Sequence, residues 1–365
     1  MAAQPGFDRR SLLRGGVAAT AAGAIGLGAA GTANAAGTAA GTARSKSAAR
    51  ARAAEPRIYS TAEWGARPPS GDIVIENHVP TFIVVHHTAE PGNSEDYSLE
   101  HAKKICRDIQ NFHMDGNGWS DSGQQFTNSR GGYRLEGRHR SLEVVRGGTQ
   151  HVQGANVGNH NSEVIGIENE GLYTDVDVPQ ALWDSLVELV AWIAAQYGTD
   201  LQNIQGHRDF NSTECPGTVL YGRLQELRDA VGNALGLDAV EDILSWPLLK
   251  PGAVGPQVRA AQHLLRAKDF AVPVDGVFDT ATRRAVAELA DKHGIERHTC
   301  AATHHSKTDE TGYLGSDIWP LITPSARAAG SDDVEEAVGT LLRKTRGKAP
   351  SVDALTETDW KRLLN

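Results

Sequence analysis

From about Ile58 to Gly236, short apolar runs alternate with longer segments whose apolar residues recur every three or four positions, a pattern that predicts an α/β domain. Thr81-Phe82-Ile83-Val84-Val85-His86 is rich in β-branched residues and opened by Pro80, and predicts a strand. Ser98 to His113 predicts a helix, with Ile105, Ile109 and Phe112 on one face and Ser98 as N-cap. Tyr133 to Glu136 and Val164 to Glu168 predict further strands, each following a Gly-rich or Asn-rich turn. Gln180 to Tyr197 gives the clearest helix: Leu182, Leu186, Leu189, Val190 and Ile193 share a face, and Gly198 ends it. Thr218 to Leu235 predicts a last helix with Leu220, Leu224, Leu227, Val231 and Leu235 turned inward.

Past Gly236 the pattern changes and repeats. Trp246-Pro247-Leu248-Leu249 recurs as Trp319-Pro320-Leu321-Ile322, Val258 to Leu265 as Val334 to Leu342, and Val274-Asp275-Gly276 as Val352-Asp353-Ala354. This self-similarity predicts a helical domain at 244–296 and a degenerate second repeat at 297–365.

The N-terminus is set apart from the fold. Asp8-Arg9-Arg10-Ser11-Leu12-Leu13-Arg14 precedes a Gly/Ala-rich stretch ending in Ala33-Asn34-Ala35, which reads as a twin-arginine export signal over 1–35. Too few large apolar side chains follow for a membrane span. Residues 36–57 carry Arg44, Lys46, Arg50, Arg52 and Arg57 against Glu55 and read as a disordered linker. Of the 365 residues, 40% are hydrophobic and 22% charged, as in ordinary globular protein. Removing the signal takes the formal charge from −9 to −11, which excludes a general nucleic-acid binder.

The chemistry centres on Gly206-His207-Arg208-Asp209-Phe210-Asn211-Ser212-Thr213-Glu214-Cys215-Pro216-Gly217. It spaces an imidazole and a thiol, the donors zinc prefers, by eight positions in a chain with three cysteines. A third donor stands where the first strand ends in His86-His87-Thr88. Successive strand residues face opposite sides, so only one of these two histidines can reach the metal, and spacing does not choose between them. Two histidines and one cysteine would leave a fourth zinc position open for hydrolytic chemistry. Glu168 and Glu170 lie on the Gly166 face of Val164-Ile165-Gly166-Ile167-Glu168, and a carboxylate on so apolar a strand needs a role or a partner. Cys106 and Cys300 could pair after export, although Cys106 sits on an apolar helix face where a buried free thiol is the plainer expectation. His298, His304 and His305 around Cys300 lack a supporting element for a second metal.

His86-His87-Thr88, Trp119-Ser120-Asp121, Glu136-Gly137-Arg138, Asn161-Ser162, Ile165-Gly166-Ile167-Glu168, Gly206-His207-Arg208-Asp209 and Cys215-Pro216-Gly217 together resemble the type 2 N-acetylmuramoyl-L-alanine amidases and peptidoglycan recognition proteins, over about residues 58–235. The resemblance implies a mixed central sheet flanked by helices, one zinc ion, and His86, His207 and Cys215 as its ligands. It departs at Gln124, where catalytic relatives have a tyrosine. The resemblance to cytosolic anhydromuramyl amidases, which also lack that tyrosine, implies Glu168 as catalytic base. Thr213 stands where some relatives carry a lysine, and its hydroxyl could donate to an oxyanion. His151 matches a histidine near the substrate cleft, with Gln124 as a second substrate-side residue, and Trp64 matches a packing position. The 244–296 segment resembles a small peptidoglycan-binding domain.

These features predict a secreted, wall-associated zinc amidase that cleaves the bond between N-acetylmuramic acid and L-alanine in peptidoglycan, or alternatively a non-catalytic peptidoglycan-binding recognition protein. No nucleic acid and no stable membrane span are expected. The helical repeats would add avidity without touching the chemistry.

Overall fold

A computed structural model of the chain describes residues 53–295, 309–324, 332–345 and 355–365. The signal segment, most of the linker, Cys300 and the histidines around it lie outside these residues. Six strands form one mixed sheet: β1 (Ile58–Tyr59), β3 (Phe82–His87), β4 (Phe126–Asn128), β5 (Arg134–Glu136), β7 (Val164–Asn169) and β8 (Ile204–Gly206), in the order β1-β5-β4-β7-β3-β8. The β4–β5 pair is antiparallel and the other pairings are parallel. A two-stranded antiparallel sheet joins β2 (Ile75–Glu76) to β6 (His151–Val152).

The strongest apolar runs, β3 and β7, lie next to each other in the middle of the sheet, where both faces are covered. Their alternation divides the fold. Ile83, Val85, Ile165 and Ile167 enter the main core with Leu182, Leu186, Leu189, Leu227 and Val231, contributed by helices α4 (Gln180–Tyr197) and α6 (Leu224–Leu235). Val84 and Val164 point the other way, into a small cluster with Val157. Helix α2 (Leu99–Asn111) carries Ala102, Ile105, Cys106 and Ile109 inward, and Ser98 caps it by accepting from the His101 N–H at 3.2 Å. The short α1 (Thr61–Trp64) buries Trp64, whose indole N–H donates to the Glu136 carbonyl at 2.7 Å, the packing role expected of it.

Two departures from the pattern reading have local causes. The segment from Thr218 to Leu235 is two helices, α5 (Thr218–Gly222) and α6, broken at Arg223. There the guanidinium stacks over Trp183 at 3.7 Å and pairs with Asp177 and Glu226, so the chain turns to serve three partners. Strand β4 and helix α3 (Ser141–Gly147) were not evident in the pattern, since three and seven residues are too few to establish a period.

Beyond the sheet, α7 (Pro256–Arg266), α8 (Thr280–Lys292), α9 (Trp319–Ile322), α10 (Asp332–Thr345) and α11 (Glu357–Leu364) share one hydrophobic core that runs from Trp246 to Leu364. Repeat-equivalent positions meet inside it. Trp246 stacks on Trp319 with centroids 6.0 Å apart and planes inclined by 13°. The equivalent helices α7 and α10 pack on each other. A four-turn helix cannot bury its apolar face alone, and here each repeat supplies the other's missing side. Among the described residues, no helix is long and apolar enough to cross a membrane.

Candidate metal centre

The sheet decides which strand-end histidine faces the site. His86 follows Val84 by two residues and lies on the Val84 face, while His87 follows Val85 toward the main core. His87 Nδ1 accepts from the Tyr173 N–H at 3.3 Å, and the His87 backbone N–H points at the Cys215 sulfur, 3.4 Å away. The donor atoms of His86, His207 and Cys215 all lie within 4.8 Å of one another, and theirs is the one such group of three among the described residues. His86 Nδ1 is 3.6 Å from Cys215 Sγ, and the rings of His86 and His207 are 4.6 Å apart.

The donor set can be tested against a metal by arithmetic. Zn–N bonds of about 2.05 Å and Zn–S bonds of about 2.3 Å at a tetrahedral angle separate the two donors by about 3.6 Å, which is the separation found for Nδ1 and Sγ. Burial pushes the His86 imidazole down to about 3, with His87 adding repulsion, so the ring is neutral with a lone pair to offer. His207 Nε2 lies 3.1 Å from Asn211 Oδ1; since an amide oxygen only accepts, that nitrogen carries the proton and Nδ1 is the atom left to face a metal. Two imidazoles and a thiolate suit zinc, and three protein donors leave the fourth position open.

Glu168 is the residue paired with His86 across the β3–β7 ladder, on the same sheet face. Burial raises its carboxyl to about 8, and its Oε2 has no hydrogen-bond partner. Glu170 shares that face in sequence but is spent on structure: Oε1 meets His101 Nε2 at 2.7 Å and Oε2 accepts from the Arg130 N–H at 2.9 Å. Thr213 is fully buried, and its hydroxyl oxygen accepts from the Cys215 N–H at 3.2 Å, which shapes the ligand turn. Gln124 is buried, donates to Thr127 Oγ1 at 3.0 Å, and keeps Oε1 without a partner. Thr127 is paired with Glu168 across β4–β7, so Gln124 lies within reach of the carboxylate's strand.

His151 is not brought to the metal cluster. It sits fully buried in the two-stranded sheet, with Nδ1 on the His78 carbonyl at 2.9 Å and its ring edge-on to His78. Cys106 is a buried free thiol, pushed up to about 12 by burial. Asn211 and Asn169 escaped the sequence reading. Asn169 donates to the His86 carbonyl at 2.8 Å, and its place between Glu168 and Glu170 on a strand was the available signal.

The loop between His207 and Cys215 is also held from outside the α/β domain. Ser212 Oγ accepts from the Gly315 N–H at 2.7 Å and donates to Asp317; Ser316 donates to the Arg208 carbonyl at 2.7 Å; the Glu214 N–H donates to Glu310 at 2.8 Å; Lys250 pairs with Glu214. The helical region is therefore in direct contact with the ligand loop, and is more than a separate tether.

Comparison with known proteins matches the stretch that holds these residues. The profile of the N-acetylmuramoyl-L-alanine amidase family matches residues 76–218. Peptidoglycan-recognition protein SC2 of Drosophila melanogaster is 33% identical over 172 residues, which span 46% of this chain and 84% of that protein. The chain belongs to this amidase and recognition-protein family. Peptidoglycan-recognition protein LB of the same fly is 28% identical over 169 residues, 46% of this chain and 67% of that one. An N-acetylmuramoyl-L-alanine amidase of Sus scrofa is 30% identical over 173 residues, covering 47% of this chain but only 27% of the pig protein. Among solved structures, that of Drosophila PGRP-LB covers 51% of this chain and 99% of its own, with 26% identity and a TM-score of 0.41.

Proposed function

We propose that this chain is an exported zinc-dependent amidase that hydrolyses the bond between N-acetylmuramic acid and L-alanine in peptidoglycan. The family supports action on, or recognition of, peptidoglycan. The observation that carries the finer reading is the convergence of His86, His207 and Cys215 with Glu168 beside them on the sheet. The Arg9-Arg10 motif and the Ala33-Asn34-Ala35 end of the first segment support export.

When bound to these three side chains, zinc supplies Lewis acidity toward a carbonyl oxygen and a water molecule. Glu168, with no partner on Oε2, would as the carboxylate take a proton from the attacking water and return it to the departing alanine nitrogen. The His87 N–H donates toward the Cys215 sulfur and favours its thiolate form. Thr213, held by Cys215, keeps a hydroxyl proton to offer a developing oxyanion, and Gln124 keeps a buried Oε1 without a partner for a substrate donor. The segment 244–296, which resembles a small peptidoglycan-binding domain, would raise the local concentration of the enzyme on insoluble wall.

The rival reading is a wall-binding receptor without turnover, favoured by Gln124 in place of tyrosine. Incubation of purified mature chain with murein separates the two. The hydrolase releases free stem peptides, and Glu168→Gln loses about 10²- to 10⁴-fold in rate while still binding zinc. Binding of murein with no peptide release would establish the receptor, and full activity in Glu168→Gln would remove that residue from the chemistry.

A further inference from the structure

A ligand imidazole presents a single lone pair to a metal only when its far nitrogen carries the proton, and that buried N–H requires an acceptor. At His207 the acceptor is Asn211 Oδ1, 3.1 Å from Nε2. At His86, Nδ1 faces Cys215, so the far nitrogen is Nε2, a buried atom that reaches hydrogen-bond geometry with no group. A second buried and equally unpartnered atom belongs to the same region: Asn156 Oδ1.

The orientation of the Asn156 amide is set by its surroundings. Nδ2 donates to the Gly123 carbonyl at 2.9 Å and to Gln125 Oε1 at 3.2 Å. Gln125 Oε1 is itself an acceptor, since it takes the Gly166 N–H at 2.7 Å. Both neighbours of Nδ2 are oxygens, so the amide cannot be turned over, and Oδ1 is the atom left facing the sheet. It lies against Gly166, where a Cβ would come within 2.4 Å of it. Gly166 pairs with Val84, two residues before His86 on the same face. The loop is fixed in turn by Asn161, whose Oδ1 accepts from the backbone N–H groups of Asn156 at 2.7 Å and Val157 at 3.0 Å. The Asn156 side chain lies within hydrogen-bonding reach of the His86 ring.

We propose that Asn156 and Asn211 are positioning residues that accept the far N–H of His86 and His207, fixing both rings in the tautomer that turns Nδ1 to the metal. This rests on the zinc reading above. Drawing electron density from Nδ1 makes Nε2–H a stronger donor, so the incomplete contact at His86 is one that metal binding tightens. Gly166 is required because any side chain there would displace the acceptor.

The test is the zinc affinity of the metal-free full-length chain, read by competition with a chromogenic chelator. Asn156→Leu removes the acceptor and should weaken zinc binding about 10- to 100-fold. Asn156→Asp keeps an oxygen toward His86 but loses the Nδ2 bonds to Gly123 and Gln125, so its melting temperature falls while its zinc affinity stays within about threefold of wild type or tightens. A residue that merely braced the loop would lose affinity equally in both variants, and that result overturns the proposal, as does undiminished affinity in Asn156→Leu. The Asn211→Leu and Asn211→Asp pair should repeat the same order; equal loss there overturns it too, whatever the folding of Asn156→Leu. A wild-type chain that binds no zinc at all would sink the metal reading instead, so the two failures are distinguishable.

Discussion

Glu168 is a carboxyl group taken out of water with no cation beside it, and its position sets both chemistry and stability. Its folded pKa, about 8, lies above the ordinary carboxylate value of 4.5, so the folded state holds a proton that the unfolded chain releases. Its contribution to folding is therefore retained below about 4.5 and lost as pH rises through 8. In metal-free protein, Glu168→Gln should raise the melting temperature, little at pH 5 and most at pH 8; a gain that does not grow with pH would contradict the burial. Glu170, two residues on, has the opposite character because His101 and the Arg130 N–H satisfy it. The sequence placed both glutamates on one face and favoured Glu168, but the partners that satisfy Glu170 come from 40 and 69 residues away and left no local signal. The choice between His86 and His87 was open for the same reason. Alternation shows that they diverge, but which face is core depends on where α4 and α6 pack.

At the scale of elements, β3 and β7 were legible because a doubly covered parallel strand is a continuous apolar run. The long α4 was legible to the residue, from Gln180 to the left-handed Gly198 that stops it. The loop from Gly154 to Asn161 was not, because Gly and Asn in a polar stretch read as ordinary turn chemistry. Its function emerges only when its asparagines are seen against the sheet. Gly166 joins the two elements: a Cβ there would lie 2.4 Å from Asn156 Oδ1, on a side chain already tied at its other end. Gly166→Ala should destabilise the fold by about 1–3 kcal/mol, read as a lower midpoint in urea. An unchanged midpoint would mean that the loop yields freely.

At the scale of the whole molecule, the self-similarity past Gly236 did not reveal the joint core of these helices or their contacts with the loop between His207 and Cys215. Ser212 and Arg208 lie more than 100 positions from Gly315, Ser316 and Asp317, with no periodicity to betray a contact. Gly315 is the tightest point, since a Cβ there would approach the Ser212 Cα to 2.8 Å. Gly315→Val should displace the loop between His207 and Cys215 and slow cleavage of a soluble muropeptide by about tenfold, through misplacement of the reacting groups. A pure tether predicts no change on a soluble substrate. Titrating zinc into metal-free chain and into Cys215→Ala reads the cation site itself. One tightly bound zinc per wild-type chain is expected, with a loss of at least about 100-fold in affinity when the thiolate is removed. No zinc bound by wild type, or equal affinity in the variant, would contradict it.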